Sequence, residues 1–155
     1  MMMTAPRPLP LPSCRHRGFT LLELMAALAI VILLAGLSWS SYQHYVSRAR
    51  RAEGRAAVLQ VLLQQERQFA YRHRYQAFQP GPAETGFKWY SGGTPATSAY
   101  ALSAQACAGE DLASCVQVSA TPGGAHVNAA YGDSQCGVLR ADSRGSRSAD
   151  GSDCW

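Results

Sequence analysis

Charge is scarce in this chain: of 155 residues only 15% are Asp, Glu, Lys or Arg, while 47% are hydrophobic. That balance suits one small domain plus an apolar segment that is not core, and speaks against a cytosolic enzyme. Catalytic patterns are missing as well, since no GxSxG elbow, paired carboxylate or Gly-rich phosphate loop occurs. No CxxC or Cys/His cluster offers a metal site, and His16, His44, His73 and His126 show no ligand spacing, so neither metal nor cofactor is expected. A strong excess of one charge sign is lacking too. Fourteen Lys and Arg stand against ten Asp and Glu, and Arg7, Arg15 and Arg17 precede the first apolar run. Setting those three aside leaves eleven against ten, too little on a small domain to make nucleic acid the default partner.

What is present begins at Phe19. Residues 1–18 are Pro-rich and basic without amphipathic period, and then FTLLELMAALAIVILLAGL runs apolar from Phe19 to Leu37. As a helix this run would be about 28 Å long, close to the ~30 Å of a bilayer core. No persuasive signal-peptidase site follows in SWSSYQHYV, so the segment is expected to stay. Glu23 is costly there, at roughly 3 kcal/mol for an unpaired charge in a membrane helix. A cut after Gly18 would create an α-amino group four residues from Glu23, and packed chains could then neutralise each other's carboxylates.

The segment RGFTLLELMAALAIVILL resembles the class III signal of type IV prepilins: a short basic leader ending in Gly, then Phe, then Glu as the fifth mature residue. The resemblance implies cleavage after Gly18 and N-methylation of Phe19, both by a prepilin peptidase/N-methyltransferase, and an assembly role for Glu23. It further implies other major and minor pilins, the inner-membrane pilus assembly machinery and the inner membrane itself as partners. Where the family usually has a proline near the membrane exit, this chain has Ser40.

The positive-inside rule is ambiguous, since Arg48, Arg50, Arg51 and Arg55 follow the run just as Arg7, Arg15 and Arg17 precede it. Cysteine decides the orientation. Pairs among Cys107, Cys115, Cys136 and Cys154 require an oxidising compartment, so the larger part should lie outside the cytoplasm. The expected location is the inner membrane, single-pass with a periplasmic head, and then an extracellular pilus.

Helical pattern continues to Arg72. Tyr45, Ala49, Ala52, Ala56, Leu59, Leu63 and Ala70 form one stripe, expected to pack on a sheet, and Gln43, Arg50, Arg51, Gln60, Gln64, Gln65, Gln68 and Arg72 form a wet face opposite. From His73 to Ser98 prolines and glycines alternate with Tyr75, Phe78, Phe87, Trp89 and Tyr90, a connecting loop with packed anchors. Alternating runs at Tyr100 to Ala106, Cys115 to Thr121 and Cys136 to Asp142 read as strands, with a short fourth near Ser146 to Ala149. A small antiparallel sheet laid on the helix gives an α+β domain of pilin type. The divisions expected are a leader over 1–18, a transmembrane and assembly helix over 19–40, an amphipathic half over 41–72 and a head over 73–155.

Cys107 ends the first strand and Cys115 begins the second, so a hairpin sets them opposite each other, and Cys136 then remains for Cys154. Cys14 lies in the leader that cleavage would remove. The segment DSQCGVLRADSRGSRSADGSDCW resembles the disulfide-bounded closing region of PilE-like minor pilins. Together these features favour a non-enzymatic minor pilin supporting pilus biogenesis, twitching motility and adhesion. A type II secretion pseudopilin shares the N-terminal signal. A DNA receptor pilin for natural transformation is the binding-class alternative, with Lys88, Arg140, Arg144 and Arg147 as its phosphate contacts, diluted by Asp142, Asp150 and Asp153. Arg48, Arg51 and Arg55 share a helix face that could equally meet lipid headgroups or neighbouring subunits.

Overall fold

In a computed structural model of the protein, residues 18–84 and 86–155 are described, with the side chains of 37–41 excepted. The expected leader, with Cys14, thus lies outside the described residues except for Gly18. Contacts divide the chain into one unit ending at Ser41 and another, Tyr42–Trp155. One helix, α1, spans Leu21–Arg72. In the first unit Thr20 begins it: the Thr20 hydroxyl accepts the Glu23 N–H at 3.3 Å, the N-cap bond of a Thr-x-x-Glu start. Glu23 is therefore in the first turn, where its charge also favours the helix dipole. The large apolar side chains from Leu21 to Leu34 are exposed. Among the described residues no helix is long and apolar enough to cross a membrane; the run read as spanning ends at Leu37, whose side chain lies outside those described.

The second unit is α+β. Strands β1 (Tyr100–Ala106), β2 (Val116–Pro122), β3 (Leu139–Asp142) and β4 (Arg147–Ala149) form an antiparallel meander in that order. Alternation puts Tyr100, Leu102 and Ala104 of β1, Val116, Val118 and Ala120 of β2, and Leu139 and Ala141 of β3 into one buried layer. Each larger apolar side chain so buried contributes about 1.5–3 kcal/mol. β1 has the expected bounds, but β3 opens at Leu139 rather than at Cys136. The reason is local: the Cys136 N–H binds the Asp133 carboxylate, the Gly137 N–H binds the Asp133 carbonyl, and Gly137 has φ +58°. That turn uses the groups a ladder would need.

The helix face is the main correction. The buried positions of α1 are Gly54, Ala57, Val58, Val61, Leu62 and Gln65, while Tyr45 is 72% and Leu63 61% exposed. The expected stripe thus points away from the core, about 165° round the helix from the face that packs. Two polar residues read as wet make this possible. The Gln65 amide is fully buried, yet it donates to the Gln76 carbonyl at 2.6 Å and accepts the Gln76 N–H at 2.9 Å. Arg51 is bound by a buried carboxylate described below. Gly54 allows the close approach, since a Cβ there would come within 2.8 Å of the Tyr100 ring.

The connecting loop is anchored by its aromatics. Phe78 bridges to Ala104 and Tyr90 to Ala101, along the free edge of β1. Phe87 stacks on Phe78 at 5.0 Å, and the Tyr75 N–H donates to the Leu112 carbonyl. Each anchor pairs backbone that would otherwise be buried without a partner.

Candidate functional site

The most elaborated polar region of the head is where α1 meets the closing loop. Disulfides join Cys107 to Cys115 and Cys136 to Cys154, with Cα separations of 5.4 and 5.7 Å. The first clamps the β1–β2 hairpin and the second closes a loop containing β3 and β4. At the entrance to that loop sits Asp133, its side chain wholly buried. Arg51 grips it with two nitrogens, Nε to Oδ2 and Nη2 to Oδ1, each at 2.7 Å. The Tyr100 hydroxyl donates to Oδ2 at 2.7 Å, and the N–H groups of Gln135 and Cys136 donate to Oδ1. Burial alone would raise the Asp133 pKa, but these donors, with the Arg51 charge, hold it down at about 2. Burial pushes the Tyr100 phenol far above its ordinary value, so it remains a neutral donor. A bidentate, desolvated pair of this kind locks the loop to the helix.

Beside this lock an open cleft of about 580 Å³ is lined on one side by α1 and on the other by Ser134, Gln135, Asp153 and Cys154. Its helical wall presents His44, Arg48, Arg51 and Arg55, spaced i, i+4, i+7, i+11, so one face carries them all. The Arg55 guanidinium donates to the Cys154 carbonyl at 3.1 Å. The shared face of the three arginines was legible from spacing. The same spacing adds His44 to that face.

The four cations singled out from sequence do not form one patch. Lys88 lies beyond β1, with its ammonium 5.1 Å from the Tyr90 ring centre. Arg140, Arg144 and Arg147 lie on the β3–β4 side, at the other end of the sheet order. Arg140 pairs with Asp150 at 2.7 Å and Arg144 pairs with Glu110. Arg147 rests over the Trp155 ring at 5.6 Å, while the Trp155 indole N–H donates to the Ser148 carbonyl. Gly18 and Phe19 are exposed ahead of α1. Cys107, Cys115 and Asp142 are the one grouping of metal-ligand type among the described residues, and its two sulfurs are bonded to each other.

A methylation-signal helix whose second half carries a four-stranded sheet and a disulfide-closed terminal loop defines a type IV pilin, a structural subunit that is membrane-anchored and then assembled into a pilus. Residues 13–39 match the prokaryotic N-terminal methylation motif. More particularly, residues 40–140 match the family described as type IV minor pilin ComP, DNA uptake sequence receptor, and the chain belongs to that family. It is similar to the type IV major pilin protein PilA of Myxococcus xanthus (strain DK1622), at 31% identity over 64 residues. That match covers 41% of this chain and spans 29% of the relative. Among solved structures it is similar to a type IV pilin from Shewanella oneidensis, with TM-score 0.45 and 22% identity over 70% of this chain and 97% of that one.

Proposed function

We propose that this pilin is a minor subunit that binds DNA at the cell surface for uptake. The observation that carries the reading is the DNA-uptake family match over residues 40–140, which takes in the head half of α1, β1, β2 and the start of β3. The head also presents guanidinium groups with no carboxylate partner, which phosphate contacts require. In this reading the prepilin enters the inner membrane with its head in the periplasm, is cut after Gly18 and methylated on Phe19. It then joins other pilins through its apolar helix with the help of the membrane assembly machinery. The exposed apolar side chains from Leu21 to Leu34, and again at Tyr45, Leu59 and Leu63, support such packing. The decisive experiment is deletion of this subunit in a piliated strain. Uptake of added duplex DNA should fall at least tenfold while pili remain visible, and unchanged uptake would overturn the receptor role.

Glu23 belongs to the assembly step. Its N–H and charge suit the first turn of α1, yet a carboxylate in an apolar stretch needs a cation, and the amine of a processed neighbour supplies one. Replacement of Glu23 by Gln keeps the N-cap backbone bond while removing the charge. Protein in sheared pili should then drop severalfold relative to protein in the membrane, and equal recovery would show that apolar packing suffices.

A further inference from the structure

We infer that the cleft between α1 and the closing loop is where the phosphate backbone of DNA is held, with Arg48 and Arg55 as its contacts. This rests on the receptor reading above and gives it a location that the sequence-selected cations do not provide. The three arginines of the cleft are not equivalent. Arg51 is neutralised by Asp133 and serves as a fixed wall. Arg55 gives an N–H to a carbonyl, the Cys154 oxygen, which orients the guanidinium without cancelling its charge. The Arg48 side chain is exposed and has no ion pair or hydrogen bond among the described residues. Against these, Asp153 is the one carboxylate lining the cleft itself. Two uncompensated guanidiniums therefore face one acid.

Shape and spacing point the same way. Seven helical steps separate Arg48 from Arg55, about 10 Å. That is the span of about three phosphates along one strand, at about 3.4 Å of axis each. Hydroxyl and amide donors on the loop side, from Ser134 and Gln135, suit the remaining oxygens. A bilayer surface fits less well. Apart from disulfide-bonded Cys154 the lining is polar or charged, whereas a membrane-seated face needs apolar side chains to enter the acyl boundary. The disulfide from Cys136 to Cys154 holds the loop wall in place, so the site is built from rigid parts on both sides.

The test uses the full chain in detergent and a fluorescein-labelled 24-base-pair duplex, with anisotropy read from 50 to 300 mM salt. Arg48→Gln/Arg55→Gln should weaken binding about fifty-fold at 100 mM and lower the slope of log affinity on log salt by about 2, one for each lost phosphate contact. Arg67→Gln/Arg72→Gln removes the same charge from exposed positions outside the cleft and should change affinity less than threefold. Arg48→Lys/Arg55→Lys should recover most of the affinity. If Arg55 substitution lowers the unfolding midpoint, Arg48→Gln alone should still reduce the slope by about 1. Equal losses in the cleft and control pairs would reduce the effect to net charge and overturn the site. Undiminished binding by Arg48→Gln/Arg55→Gln would also overturn it while leaving the receptor reading intact. No duplex binding by the unaltered chain would overturn both. Vesicles containing anionic lipid form the last arm, and a variant that loses vesicle binding but keeps DNA binding would assign the cleft to headgroups instead.

Discussion

The two faces of α1 beyond Tyr42 differ in how they are completed. One face, Ala57, Val58, Val61, Leu62 and Gln65, is covered by the chain's own sheet. It holds few large apolar residues and depends on polar groups that find distant partners: Gln65 on the backbone of Gln76, Arg51 on Asp133. The other face, with Tyr45, Leu59 and Leu63, is as apolar or more so, yet its own domain leaves it exposed. Fold stability in this molecule thus sits on the face with specific polar closure. In the proposed assembly, these exposed apolar side chains are the surface that packing against other subunits would remove from water.

The strongest way to break that contrast is to remove the polar closure. Asp133→Ala leaves the Arg51 guanidinium, the Tyr100 hydroxyl and the N–H groups of Gln135 and Cys136 without their acceptor. Losing one partner of a desolvated pair costs about 3–5 kcal/mol, so urea unfolding of the full chain in detergent should show a loss of that size. A loss under about 1 kcal/mol would mean that water replaces the carboxylate. Acid gives the same result without mutation. The folded Asp133 has a pKa of about 2, below the ordinary carboxylate value near 3.9. Its contribution is therefore complete above about pH 4 and fades as pH falls towards 2. Asp133→Asn should flatten that limb of the pH profile.

Why the contrast escaped the sequence follows from these partners. Periodicity found an apolar arc, and the arc is real, but it could not say whether the domain or a neighbour covers it. The true inner face includes Gly54, Arg51 and Gln65, which any hydrophobicity scale counts against burial. Their compensating groups lie at Tyr100, Asp133 and Gln76, separations that only the tertiary fold brings together. The same limit applied to the cations: the partner of Arg144, Glu110, is 34 positions away, though the pairing of Arg140 with Asp150 follows from the β3–β4 hairpin, where Leu139 faces Ala149. Features carried by local chemistry were readable throughout. The signal around Gly18 and Phe19, the bounds of β1, the aromatic anchors of the loop and the cysteine pairing across the first hairpin all depend on neighbours close in sequence.

A smaller effect sharpens the comparison on the covered face. Val61 is 1% exposed and packs within the core cluster that includes the sheet. Val61→Ala removes two methyl groups and leaves part of their volume empty, at a cost of about 2 kcal/mol. Thermal unfolding of the full chain in detergent should show a correspondingly lower midpoint, whereas incorporation into pili should fall only as far as the folded population does. A Val61→Ala subunit that folded normally yet failed to assemble would reverse the assignment of the two faces.

The smallest expected effect on folding belongs to Leu63, two residues further along and on the other face. At 61% exposed it has little to lose when the isolated subunit unfolds, so Leu63→Ser should change stability by no more than about 0.5 kcal/mol. Assembly is where its apolar surface counts. A Leu side chain moved from water into a helix–helix contact contributes up to about 2 kcal/mol, and a serine there brings a hydroxyl that must find a partner or be buried without one. Because every added subunit would meet the same defect, the amount in sheared pili should fall severalfold even though the membrane pool is full and correctly oxidised. Measuring both pools beside Val61→Ala separates the faces directly. If Leu63→Ser lowered the unfolding midpoint as much as Val61→Ala, the stripe would be part of the domain core after all. If it entered pili as well as the unaltered subunit, the exposed face would not be the one that neighbours cover.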